Sequence, residues 1–424
     1  MRRVPTGSAQ PDRALAQRDS ELPCLADLLD DDRLSELLGE PVHVTRVRYK
    51  PHTSVLVAFR HSLHGRDHYG WARGGTPHDD KILGRQQLSR ARGRDIRLVP
   101  THESRHGALV AVGGFEDDWE LVANLLWLRN HGLRRLSARW SPGSASPESA
   151  GTVLRYKPER RVVFMVPSAA GSVVIKAGTE PYDRNRQVHF WNVLNRHGVP
   201  VLPLLADARC SAHGIGASPL WGAGDLGTLH GDNAAGHAGE ALAALHGISD
   251  AARVATAGSP PNLGAQLLAT SAMVAALLPQ LAETADLVAS RLSDRLLAQK
   301  ATFSGSLVHG DFSSDQVLVA GTEVRFIDFD RAHASAPEAD LGSFAAVEET
   351  SARNTRRARN AGGPKTAQLV DGYIGSGGTF SSGRLNLWAA YRLFVGSVEP
   401  FRDRAPEWAA DMAWHLDRAR ELIV

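Results

Sequence analysis

Cysteine is nearly missing from this chain of 424 residues: Cys24 and Cys210 are the only two, and neither stands in a metal-type spacing. Two thiols so far apart read as unpaired side chains in a reducing compartment, not as a disulfide framework. A surplus of one charge is also lacking. Lys and Arg number 48 against 46 Asp and Glu, a formal net charge of +2. No broad field therefore draws the chain to nucleic acid, and such binding would need a local basic patch. No apolar run approaches the ~18–20 residues that span a bilayer. After Arg2 and Arg3 come Pro, Gln, Asp and Arg where a secretory signal would be apolar. The chain thus reads as cytoplasmic, with neither a membrane nor a nucleic acid as partner, and the sequence leaves its oligomeric state open.

What is present is ordinary globular composition, 43% hydrophobic and 22% charged, at a length that accommodates two or three domain-sized units. Residues 1–20 are polar without an apolar period and read as a disordered tail. Leu25–Leu38 reads as an amphipathic helix. A four-residue word then occurs twice. Arg48-Tyr49-Lys50-Pro51 precedes the apolar run Val55–Phe59, and Arg155-Tyr156-Lys157-Pro158 precedes Val162–Val166. Each reads as strand, turn, strand, with a third strand at Tyr69–Arg73 or Ser172–Ala177. The matching strand context favours a duplicated three-stranded element over a chance repeat of one word. Trp119–His131 has helical spacing, and the Ser/Pro/Gly stretch Ser141–Ser149 reads as a linker between copies.

Beyond the second copy, Asn185–Asn195 reads as a helix, Val199–Leu205 as a return strand and Ala217–Gly227 as a hinge. Helical patterns dominate from His237 onward: Gly239–His246, one long pattern over Leu263–Leu297, Leu385–Val398 and Glu407–Leu422. Strands first and helices afterwards indicate an α+β protein. The expected organisation is a tail over 1–20, an N-terminal domain over 21–140, a small sheet lobe with its hinge over 150–228 and a helical lobe over 229–424.

Within the helical region lies a strand-rich interruption. It reads Leu307-Val308-His309-Gly310-Asp311-Phe312-Ser313-Ser314-Asp315-Gln316, then Val324-Arg325-Phe326-Ile327-Asp328. A polar loop between apolar segments is followed by a strand that ends in a carboxylate. Phosphoryl transfer needs such a set: a carboxylate to orient and deprotonate the acceptor hydroxyl, and oxygen ligands for magnesium. Asp311, Gln316 five positions later and Asp328 supply it.

These residues resemble the aminoglycoside phosphotransferase family, which shares the protein-kinase-like fold, small sheet lobe and larger helical lobe. The resemblance covers roughly residues 150–424, is strongest from Leu307 to Leu341, and includes the pair Asp340-Leu341. It implies a kinase that uses ATP and Mg2+ and phosphorylates a hydroxyl of a small molecule such as an aminosugar, an aminoglycoside or a related natural product. Asp311 would be the base. Gln316, standing where the family has a metal-binding Asn, and Asp328 would hold magnesium, and Asp340 would tie the catalytic loop to the helical lobe. Val174-Ile175-Lys176 resembles the strand whose Lys touches the ATP phosphates. The turn Pro158-Glu159-Arg160-Arg161 stands where related kinases cover those phosphates, with Arg160 or Arg161 adding charge, and Trp221-Gly222-Ala223-Gly224 resembles the adenine-binding hinge, with Gly222 against the base. The N-terminal copy reads as a degenerate small lobe.

Two features depart from that pattern: Gln316 replaces Asn, and Lys176 lacks a clear acidic partner, since Gln187 stands on the helix where a Glu is expected and Glu180 comes early. The missing acidic partner supports an alternative, a catalytically weak pseudokinase that binds a nucleotide or small molecule, while the intact pair Asp311 and Asp328 argues against it. Other chemistries find little support. A Walker-type Gly-Lys-Ser/Thr loop is missing, and His61, His64 and His68 read as parts of a solvated loop. Arg353, Arg356, Arg357 and Arg359 form a basic run that is either a solvated face or an anion site. The run adjoins Glu348 and Glu349, and this mixed charge favours an acceptor with few amines.

Overall fold

The computed structural model describes residues 9–423 apart from 64, 77–81, 83, 88–95, 103–107, 141–150, 169, 230–232, 249–253, 255–259, 300–304 and 355–362. The expected linker Ser141–Ser149 and Arg356, Arg357 and Arg359 of the basic run lie outside the described residues. The fold is α+β. The chain forms two compact units, one comprising Met1–Tyr182, Leu204–Leu220 and Glu399–Asp411, the other Asp183–Pro203, Trp221–Val398 and Met412–Val424.

The first unit is built on two antiparallel sheets. Strands β1 (His43–Lys50), β2 (Ser54–Leu63), β3 (Arg66–Gly75), β4 (Arg97–Pro100) and β5 (Leu109–Gly114) lie in the order β1-β2-β3-β5-β4. Strands β6 (Thr152–Lys157), β7 (Arg161–Val166), β8 (Val173–Gly178) and β9 (Ile215–Pro219) follow one another in sequence order. The repeated word has one structure in both copies. Tyr49 pairs across the hairpin with Val55, and Tyr156 pairs with Val162. The turn residues His52 and Glu159 both adopt a φ of +56°, a left-handed conformation that few side chains accept. Each is held by an upstream aspartate. Asp19 accepts the Tyr49 hydroxyl at 2.6 Å and the His52 N–H at 3.0 Å, and Asp118 accepts the Tyr156 hydroxyl and the Glu159 N–H, both at 2.7 Å. The duplication therefore extends back to Asp19 and Asp118, beyond the word that announced it.

Alternate residues of both sheets face one core, as a period of two requires. Leu56 and Ala58 are buried there with Tyr156, Val162, Ile175 and Ala177. The polar N-terminus is not all tail. Ala9–Arg18 is a helix, buried Asp12 accepts from Arg404 at 2.6 Å and from the Trp408 indole at 3.1 Å, and Leu15 is buried. The amphipathic stretch after it is two short helices, because Asp30 caps the second by accepting from Asp32 N and Arg33 N.

In the second unit, helix Arg184–Arg196 starts at Asp183, whose carboxylate accepts the Arg186 N–H. Val199–Leu205 does not form the expected strand. Only one parallel bridge, Val201 to Phe326, occurs there, and the strand that pairs with β8 is β9. The expected hinge Ala217–Gly227 holds strand at both ends, in β9 and in β10 (Gly224–Asp225). The long pattern over Leu263–Leu297 is two helices, Leu263–Leu277 and Ala282–Gln299, parted where Pro279 denies a helical N–H. Strands β11 (Ser306–Val308), β12 (Val317–Ala320), β13 (Glu323–Phe326) and β14 (His333–Ser335) make two small sheets, β10-β12-β13 and β11-β14. They lie within a core that includes Phe190, Leu242, Phe312, Phe326 and Phe344.

Candidate active site

Asp311 sits in the loop between β11 and β12, and the backbone around it is fixed from three directions. Asp340, at the start of helix Glu338–Asn354, is fully buried and accepts the His309 N–H at 2.6 Å and the Gly310 N–H at 2.9 Å. The His246 Nε2–H also donates to Asp340, at 3.1 Å, and the other nitrogen of that ring takes the Tyr373 hydroxyl at 3.0 Å. Burial alone would raise the Asp340 carboxyl, but His246 and the His309 N–H hold it below the usual carboxylate range. The His309 ring donates through Nε2 to the Ile327 carbonyl at 2.8 Å, which ties the loop to the residue before Asp328. Gly310 has a φ of +82°, and a Cβ there would stand 2.3 Å from the Arg331 carbonyl oxygen, so only glycine lets the two loops approach this closely.

The Asp311 carboxylate is left with acceptor capacity. Its Oδ1 is buried and makes no well-directed hydrogen bond among the described residues. The Arg392 guanidinium lies 3.1 Å from that oxygen, out of line for a hydrogen bond, and Arg331 lies 3.6 Å from Oδ2. Arg331 stands just beyond Asp328 and was not singled out, whereas Arg392 was not legible as a site residue, because it comes from helix Ser382–Gly396, about eighty positions on. His246 is likewise remote in sequence from the loop it braces.

Gln316 and Asp328 come together through backbone pairing. Val317 is opposite Phe326 in the β12–β13 hairpin, and Ile327 N donates to the Gln316 carbonyl at 3.1 Å, which brings Asp328 beside Gln316. Asp328 itself has a φ of +64°, a left-handed conformation that aspartate adopts more readily than most side chains. Two hard oxygen donors on adjacent segments fit magnesium, which takes one or two protein ligands and completes its shell with water and phosphate oxygens. No group of three or more His, Cys, Asp or Glu suited to a metal occurs among the described residues.

Lys176 and Arg161 belong to the sheet unit. Lys176 pairs with Val163 and Arg161 with Gly178, so the two cations share one sheet face as diagonal neighbours, roughly 7–8 Å apart. Glu159, in the turn before Arg161, accepts from Arg73 at 2.8 Å and Arg48 at 3.1 Å and lies 3.6 Å from Arg85. Gly222 belongs to the second unit. Its φ is +81°, and a Cβ would stand 2.6 Å from the Val319 carbonyl oxygen, so the close approach to β12 explains the glycine. Of the carboxylates considered for amines, Glu348 accepts Thr366 N at 2.8 Å and Lys365 N at 3.1 Å, and Glu349 accepts two Arg418 nitrogens at 2.8 and 3.1 Å. Arg353 lies over the Trp414 ring, 5.1 Å from its centroid.

A model described as the phosphotransferase enzyme family matches residues 146–373. Among solved structures, a choline/ethanolamine kinase family protein from Mesorhizobium loti is 17% identical, with 70% of this chain and 94% of that one covered and a TM-score of 0.46. A spectinomycin phosphotransferase bound to ADP and spectinomycin is 12% identical over 64% and 89% of the two chains, with a TM-score of 0.46. An aminoglycoside-3'-phosphotransferase of type VIII is 16% identical over 65% and 99%, with a TM-score of 0.45. Among curated proteins none matches this chain. No helix among the described residues is long and apolar enough to cross a membrane.

Proposed function

Because the chain belongs to the phosphotransferase enzyme family, we propose that it transfers the γ-phosphoryl group of ATP to a hydroxyl of a small molecule. An aminosugar, an aminoglycoside or a related natural product is the acceptor class considered first. The observation that carries this reading is the buried Asp311 Oδ1 with no well-directed hydrogen bond, on a loop braced by Asp340 and His309.

Asp311 orients the acceptor hydroxyl and takes its proton as the oxygen bonds to the γ-phosphorus. The bond from that phosphorus to the β–γ bridging oxygen breaks, and ADP leaves. Phosphoryl transfer of this kind is mainly positioning and charge stabilisation, which suits a rigid loop. Gln316 and Asp328 would hold magnesium, which supplies neutralisation of phosphate charge when bound. Lys176 and Arg161, on one sheet face, would contact the nucleotide phosphates, and the backbone beside Gly222 would meet the adenine.

The test is a screen for ADP release by the full chain across sugars, aminosugars and aminoglycosides, with magnesium and with a chelator, followed by location of the phosphate on the product. Acceptor-dependent, magnesium-dependent release that is lost in Asp311→Asn is expected. Tight ATP binding with no turnover on any acceptor would favour a nucleotide-sensing pseudokinase instead.

A further inference from the structure

Among the described residues, both ion-pair partners of the proposed base are positive: Arg392 at 3.1 Å and Arg331 at 3.6 Å. Arg392 is one-third exposed and Arg331 about two-thirds, so both guanidiniums keep donors available to a ligand, and each offers five in all. Glu338 accepts from Ser381 N at 2.9 Å and Arg384 Nε at 2.8 Å through one oxygen, Oε1, while its Oε2 is buried without a hydrogen bond among the described residues, and Glu348 and Glu349 are bonded as described above. Within the two loops, Asp315 accepts the Ser313 hydroxyl, and Asp330 is exposed. When Asp311 takes a proton, its negative charge disappears and the two guanidiniums beside it lose their partner.

From this arrangement we propose that the acceptor carries an anionic group, a carboxylate or a phosphate, close to the hydroxyl that is phosphorylated. Arg392 and Arg331 hold that group, and Asp311 Oδ1, which makes no well-directed hydrogen bond, receives the hydroxyl proton. The inference rests on the reading of Asp311 as the base. A polycationic acceptor is disfavoured, since its amines would meet two guanidiniums at the reacting position.

The test uses the full chain with Mg-ATP and acceptors matched in skeleton: glucose, glucosamine, gluconate and glucose 6-phosphate, with kanamycin as the polycation. Binding of each to the protein loaded with a non-hydrolysable ATP analogue is measured alongside kcat and KM. Gluconate or glucose 6-phosphate should bind at least about tenfold more tightly than glucose, the size of effect expected from one charge-assisted contact. Which of the two does so identifies carboxylate or phosphate as the group. Arg392→Gln should erase that advantage by raising KM for the anionic acceptor, while Arg392→Lys restores part of it.

A preference for glucosamine or kanamycin overturns the proposal, as does failure of both anionic probes to bind more tightly than glucose. A uniform fall of kcat on every acceptor in Arg392→Gln also overturns it, because that pattern belongs to a clamp on the transferring phosphoryl group. Retained anion binding without any turnover would instead sink the kinase reading and leave the anion site standing.

Discussion

Arg73 donates to Glu159 across 2.8 Å, which joins the third strand of the first copy to the first turn of the second. Arg73 stands opposite Leu56 in β3 as Lys176 stands opposite Val163 in β8. The cation that the second copy would offer to phosphates is therefore spent, in the first copy, on a carboxylate of the second copy's turn. Arg48 and Arg85 join it, and Glu159 is only 11% exposed. Removing the carboxylate would leave several cations unbalanced, so Glu159→Gln should cost about 1–3 kcal/mol, read as a lower urea midpoint. A chain beginning at Gly151 also loses Asp118, the anchor of Tyr156, and should be less stable or aggregate. ATP turnover by residues 1–140 alone would contradict the assignment of the first copy to a structural role.

How far the sequence spoke follows from the range of each interaction. Tyr49 and Tyr156 were legible because the turn chemistry of Tyr-Lys-Pro is local, and the Asp311–Asp328 segment because its residues are close in the chain. Glu159 with Arg73, and Asp311 with Arg392, join residues about eighty or more positions apart, and no periodicity announces such pairs. Val199–Leu205 misled for another reason: an apolar run fits a strand equally well whether or not a partner edge exists. The helix Ala9–Arg18 was hidden because its burial rests on few apolar residues, with Asp12 anchored by Arg404 and Trp408.

Asp311 and Asp340 should separate chemistry from architecture. Asp311→Asn keeps the loop's backbone bonds, so the fold and ATP affinity should survive while turnover falls by about 10²–10⁴-fold. Asp340→Asn places an amide donor where the His309 and Gly310 N–H groups both need an acceptor. It should lose about 1–3 kcal/mol of stability together with activity. Parallel unfolding and steady-state measurements on the two variants make the comparison, and equal stability losses would refute the division of roles.

Gln316 tests the proposed magnesium site. Gln316→Asn shortens the arm but keeps its oxygen, so magnesium-dependent turnover should persist or rise. Asp328→Ala removes a charged ligand, and nucleotide binding should then no longer respond to magnesium. Calorimetric titration of ADP with and without the metal reads both. An unchanged metal dependence in Asp328→Ala would exclude that residue from the site.

Acid sensitivity of the sheet unit should centre on Glu399, which follows helix Ser382–Gly396 and pairs with Arg46 of β1 at 2.9 Å and Arg402 at 2.7 Å. Burial works to raise its carboxyl, but Arg46 and Arg402 prevail and hold it down to about 2, against an ordinary 4.5. A carboxylate depressed in the folded state contributes stability above its unfolded value and loses it as pH falls toward the folded value. The Glu399 contribution should therefore be intact at pH 5 and above and decline between about pH 4.5 and 2. Asp403 acts with the opposite sign. Burial pushes its carboxyl up despite the contact with Arg46, so protonating it favours the folded state as pH falls. Glu399→Gln should flatten the acid loss, and Asp403→Asn should steepen it. Urea midpoints followed at pH 7, 4 and 3 distinguish the two, and equal slopes in wild type and Glu399→Gln would show that the Arg46 cluster does not govern acid stability.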